Sequence, residues 1–197
     1  MKPPENIDQY LEFISIETAR MSWPGSMMQG KKQILKAGAP KAVEKYFKDK
    51  FPIRELWDNP DSIANDYDKW HCERSKELSE AIKNCKGYES NILETVAAKL
   101  LDTYMHQLMK HPKFRSIYPK LHLPLDGRAF RELKKEFISF CGKDQITDIL
   151  EKSPYMINRD EYEKLQEAMT NYIKELQAIP NTGIKWSSRI ELNWLWI

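Results

Sequence analysis

Residues 93–130 read LETVAAKLLDTYMHQLMKHPKFRSIYPKLHLPLDGRAF, and this stretch decides the fold. Ile92, Val96, Leu100, Tyr104 and Leu108 recur at helical spacing, and Ala97, Leu101 and Met105 widen the stripe. Apolar residues thus cover well over half of the helix circumference, which places a helix over 91–110 at the centre of the molecule. Pro112 ends it. The second half of the stretch is a basic, aromatic connector that closes on Asp126, a residue placed to cap the next helix.

Helical signals continue outward on both sides. Ile7, Tyr10, Leu11 and Ile14 form one stripe of a first helix, which SWPGS (22–26) brings to a stop at Pro24 and Gly25. A short helix near Lys31 to Lys36 stops at Gly38, and Pro40 suits the first turn of another that carries Val43, Tyr46 and Phe47. FPIRELWDNP reads as a connector that buries Trp57. Asp61 is set to cap a long helix through Asn84, with Ile63, Tyr67, Trp70, Leu78 and Ile82 inside. Further helices follow Asp126, Asp144 and Asn158 or Asp160, the last running through Gln177. Few alternating β-branched runs occur, and no repeat or long linker divides the chain. The expectation is all-α: a single domain over 1–197, with about eight helices around the central one.

Composition narrows the class. With 197 residues, 41% hydrophobic and 30% charged, the chain can bury one sizeable core and does not suit a membrane bundle. No apolar run approaches the roughly 18–20 residues of a bilayer span. MKPPENIDQY has no apolar signal core, and Cys72, Cys85 and Cys141 show no paired spacing. A cytoplasmic location is therefore expected. The net charge of +2 conceals a division: Asp58–Glu80 sums to −4 and Lys110–Lys135 to +6. Such a split favours an anionic partner on one face, although solvated helix surfaces produce the same pattern.

Most familiar chemistries lack their motifs. His106 and His111 lie five apart, on different helical faces, and three and four residues after His71 only Ser75 offers a ligand atom. CxxC and HExxH are missing, as are phosphate-loop, dinucleotide and serine-elbow patterns. No metal and no cofactor are expected. What remains is Lys99 with Asp126 as a candidate catalytic pair. Lys99 sits at the margin of the buried stripe, where partial desolvation favours the neutral, nucleophilic amine. A helix-capping carboxylate at Asp126 stays ionised and can stabilise a developing cation. Lys99 snorkelling to solvent and Asp126 acting only as a cap account for both residues equally well.

LETVAAK (93–99) leading into an apolar helix, followed by LPLDGRAF (123–130), resembles the core of the helix-hairpin-helix DNA glycosylases. The resemblance spans some 40 residues. It implies removal of damaged bases from DNA, with strand nicking through a Schiff base on Lys99 and with Asp126 as the family's aspartate. Thr95 and Ala97 stand at the positions of the family's hairpin glycines, and Gly127 follows Asp126 where the family has histidine. A divergent glycosylase and a degenerate relative that keeps only the scaffold are both consistent with this pattern. Whether the chain is an enzyme stays open at this point.

The connector KHPKFRSIYPKLH points to DNA or RNA independently of that family. Lys110, Lys113, Arg115 and Lys120, with Arg128 and Arg131 beyond, supply phosphate contacts, while Phe114 and Tyr118 offer rings for base stacking. The alternative is a basic surface loop with its aromatics turned inward. A rival function is a non-enzymatic protein-interaction module, using the 110–135 face or the Trp-rich tail. In that tail Trp194, Trp196 and Ile197 either lid the protein's own core or meet a protein partner.

Overall fold

Among the residues that the computed structural model describes (6–10, 38–85, 92–109, 111–125, 127–140, 146–154, 156–178, 188–189 and 191–192), regular structure is helical and no strand occurs. The helices are α1 (Ala39–Asp49), α2 (Ile53–Asp58), α3 (Pro60–Asn65), α4 (Tyr67–Ile82), α5 (Ile92–Leu108), α6 (Gly127–Phe140), α7 (Ile146–Glu151) and α8 (Arg159–Ala178). Ile7–Tyr10 adds a helical turn. The expected first helix beyond Tyr10, the helix near Lys31, and Trp194, Trp196 and Ile197 lie outside the described residues.

Local chemistry explains the boundaries. Gly38 takes φ 101°, a left-handed conformation that suits glycine, and Pro40 then opens α1. At α8 the Asn158 side chain accepts from the Glu161 amide at 2.9 Å, while Glu161 accepts from the Asn158 amide at 3.0 Å. This reciprocal capping box settles the start of α8 at Asn158 rather than Asp160. The single long helix expected from Asp61 is in fact two. Asn65 and Asp66 are poor interior residues, and the Asp66 amide closes a tight turn on the Ile63 carbonyl at 3.2 Å, so α3 stops and α4 restarts. FPIRELWDNP holds α2, in which Leu56 is fully buried and Trp57 only partly so.

α5 separates two apolar clusters, and its position matches the expectation. Val96, Ala97, Leu101, Tyr104, Met105 and Leu108 join α1–α4 and the connector in the first cluster. Ala98 joins α6, α7 and α8 in the second. Its α8-facing stripe therefore reads Thr95, Ala98, Asp102: the Thr95 hydroxyl donates to the Ile157 carbonyl at 2.7 Å, and Asp102 meets Tyr162. The connector crosses between the clusters at His122, with Leu121 buried in the first and Leu123 in the second. No helix among the described residues is long and apolar enough to cross a membrane.

Candidate functional site

The seam between the two clusters is polar. His71 comes from α4, Asp102 from α5, His122 from the connector and Tyr162 from α8, and all four are buried. His71 Nε2 lies 2.8 Å from Asp102 Oδ1, and the Tyr162 hydroxyl donates to Asp102 Oδ2 at 2.7 Å. His122 Nδ1 is 3.0 Å from that same hydroxyl, and its Nε2 is 2.7 Å from Asp68 Oδ1. Arg189 donates to Asp68 Oδ1 at 3.1 Å and to the Lys120 carbonyl at 2.7 Å. The imidazoles of His71 and His122 lie against each other, with ring centroids 4.2 Å apart and planes inclined at 46°. Gln166 fixes the connector beside them: its amide donates to the Leu123 carbonyl at 2.9 Å and its oxygen accepts from the Leu123 amide at 3.1 Å.

Electrostatics follow from this packing. The hydrogen bond from His122 holds the Asp68 carboxyl below the usual carboxylate range, and the Arg189 charge adds to it, against the effect of partial burial. Burial, reinforced by His71, pushes His122 well below the ordinary imidazole range although Asp68 opposes that shift. A neutral His122 that donates from Nε2 to Asp68 presents a bare lone pair at Nδ1. The one Tyr162 proton then faces two acceptors, His122 Nδ1 and Asp102 Oδ2. Burial keeps the Tyr162 and Tyr67 phenols protonated far into alkali, helped at both by the Asp102 charge. Tyr67 Oη and His71 Nδ1 are buried without a hydrogen-bond partner among the described residues.

This seam reaches solvent through a cleft of about 610 Å³ between α4 and α8. Asp68, Cys72, His122, Arg159, Gln166 and Arg189 are among its lining residues, so the deeper His71 and Asp102 lie behind its floor. The arrangement joins a cleft to a continuous chain of groups that can hold or pass protons.

None of these residues stood out in the sequence as a site. His71, Asp102, His122 and Tyr162 come from four separate segments, so the absence of local ligand spacing was no guide to them. One signal was available: Asp102 is an acid in a helix that is apolar over well over half of its circumference, and an acid buried there needs partners.

The expected catalytic pair is not brought into view. Lys99 is half-buried on α5, where its carbonyl accepts from the Thr103 hydroxyl at 2.8 Å. Asp126 and Lys110 lie outside the described residues. On the connector, Lys113, Arg115 and Lys120 are exposed, as are Arg128 and Arg131 on α6. Phe114 corrects the stacking expectation. It is fully buried and packs on Tyr10 and Trp57 at centroid distances of 5.4 and 5.9 Å, leaving no face for a base. Tyr118 is half-buried against the first cluster. Trp57 instead carries the Lys113 ammonium 5.1 Å from its ring centroid. No protein-family model matches the sequence, and no curated protein or solved structure matches it either, so the resemblance to DNA glycosylases rests on residues 93–130 alone.

Proposed function

We propose that the protein binds nucleic acid along the face running from Lys113, Arg115 and Lys120 on the connector to Arg128 and Arg131 on α6. The observation that carries this reading is the way the connector is mounted. Phe114, Ile117 and Leu121 anchor its backbone in the core, and Arg189 holds the Lys120 carbonyl, while the three cations project to solvent. A preorganised row of cations loses little entropy on meeting phosphates. With Phe114 buried and Tyr118 half-buried, the contacts are mainly to the phosphate backbone, and binding depends little on sequence.

Counterion release makes the affinity fall steeply with salt. Replacing Lys113, Arg115 and Lys120 together by Ala should weaken binding to every sequence tested and make the slope of log K against log salt shallower by about 2–3. Fluorescence anisotropy with single- and double-stranded DNA and RNA measures both. Wild type that binds none of them at low salt ends the proposal. The lyase version is narrower and has its own test: borohydride trapping of a covalent adduct with abasic DNA, lost in Lys99→Gln.

A further inference from the structure

We propose that His71, Asp102 and His122 bind one divalent first-row transition ion, with zinc as the natural match and the Tyr162 hydroxyl beside a fourth position. The proposal does not depend on the nucleic-acid reading. Each of the three residues offers a ligand atom within 4.8 Å of the other two, and all three side chains are buried. Around the ring, successive polar atoms stand 2.8 Å (His71 to Asp102), 2.7 Å (Asp102 to Tyr162) and 3.0 Å (Tyr162 to His122) apart. Ligands at about 2.1 Å from an ion are separated by about 3–3.4 Å, so the His71–Asp102 pair needs to open by a few tenths of an ångström, while His122 has to settle to that spacing from within 4.8 Å of both.

Donor chemistry selects the ion. Two imidazoles and one carboxylate suit zinc and its transition-metal neighbours, whereas calcium and magnesium prefer an all-oxygen shell. Three protein ligands leave a coordination position open, as in sites where the ion meets a water or a substrate. His122 already has the support that a metal-binding histidine requires: Asp68 takes its Nε2–H, leaving Nδ1 directed into the ring, and Arg189 steadies Asp68. A cation also removes the proton shortage at Tyr162, because it accepts the lone pairs of both His122 Nδ1 and Asp102 at once. Entry is from the cleft, where His122 lines the floor.

The test uses the full chain, stripped by a chelator and titrated separately with Zn(II) by calorimetry and with Co(II) by visible absorption. One equivalent should bind, and the Co(II) spectrum should show nitrogen and oxygen ligation without a thiolate charge-transfer band. Zn(II) should raise Tm. Asp102→Asn and His71→Gln should each weaken binding at least 10-fold, and Asp68→Asn, which acts through His122, by about 10-fold. Cys72→Ser and His106→Gln should bind as wild type does. Circular dichroism of each variant shows whether it is folded, and the wild-type Co(II) spectrum decides the matter even where a variant does not fold. No saturable binding to wild type overturns the proposal. A thiolate band, or unchanged affinity in folded Asp102→Asn, overturns it equally, since the ion would then sit elsewhere.

Discussion

The connector and the seam lie a few residues apart, yet they treat charge in opposite ways. Between His111 and Lys120 the chain buries Phe114 and Ile117 and turns Lys113, Arg115 and Lys120 to water. From His122 onward it does the reverse, carrying a histidine into a buried network with Asp102 and Tyr162. Solvated cations cost little to display and contribute little to folding. Buried ionisable groups are costly unless each meets a partner, and removing one partner strands the rest. The connector is therefore free to serve a ligand, while the seam is bound up with the fold.

The largest effect should follow from breaking the seam. Asp102→Ala leaves His71 and the Tyr162 hydroxyl without their shared acceptor, and a loss of about 3–5 kcal/mol is expected in urea unfolding. A loss under about 1 kcal/mol would show that the seam is held by packing alone. Gln166→Leu removes both amide bonds to Leu123 while keeping the apolar bulk of the side chain. It should cost about 2–4 kcal/mol, since each stranded backbone group costs about 1–3 kcal/mol. Full stability in this variant would mean that the connector backbone relaxes to another partner.

Alkali should reach the first cluster next. Burial raises the phenols of Tyr10, Tyr46 and Tyr104, with the Tyr104 charge adding at Tyr10 and the Glu77 charge at Tyr46. Because the folded chain holds these protons more tightly than the unfolded one, their contribution is intact below the unfolded tyrosine pKa of about 10. It falls as pH rises beyond that point. Phenolate absorbance from these tyrosines should therefore appear together with the loss of helical signal. Titration of all nine tyrosines in a chain that stays folded would refute the burial argument. At the small end, the triple Ala variant of Lys113, Arg115 and Lys120 should shift stability by less than about 0.5 kcal/mol. A larger drop would mean that the connector, like the seam, supports the fold.

Sequence patterning reached the parts of the molecule where one element answers to one period. α5 was legible because Val96, Leu100, Tyr104 and Leu108 repeat on a face that had to be buried, and α1 because Gly38 and Pro40 mark its start. The break at Asp66 was not, because apolar spacing continues through Ile63, Tyr67 and Trp70 on both sides of it. For the connector, composition supplied the charges correctly but not the direction of the rings: Phe114 is aromatic whether it faces a base or a core. The seam was least visible, since His71 and Asp102 are separated by 31 positions and Asp68 and His122 by 54. A single sequence carries no signal for pairs so far apart. What it does show at Asp102 is an acid directly after Leu100 and Leu101, in a helix whose apolar stripe covers well over half of its circumference.

Lys113 above Trp57 gives the connector an optical consequence. The indole is half-buried, ringed by Tyr10, His111 and Phe114, and its outer neighbour is an ammonium 5.1 Å from the ring centroid. An anion that engages Lys113 draws this charge off the ring and changes the field that sets the indole's emission. The difference between wild-type and Trp57→Phe fluorescence isolates that emission from the other five tryptophans. The protein thus carries its own probe at the surface where a polyanion would land, and occupancy can be followed in real time without a label.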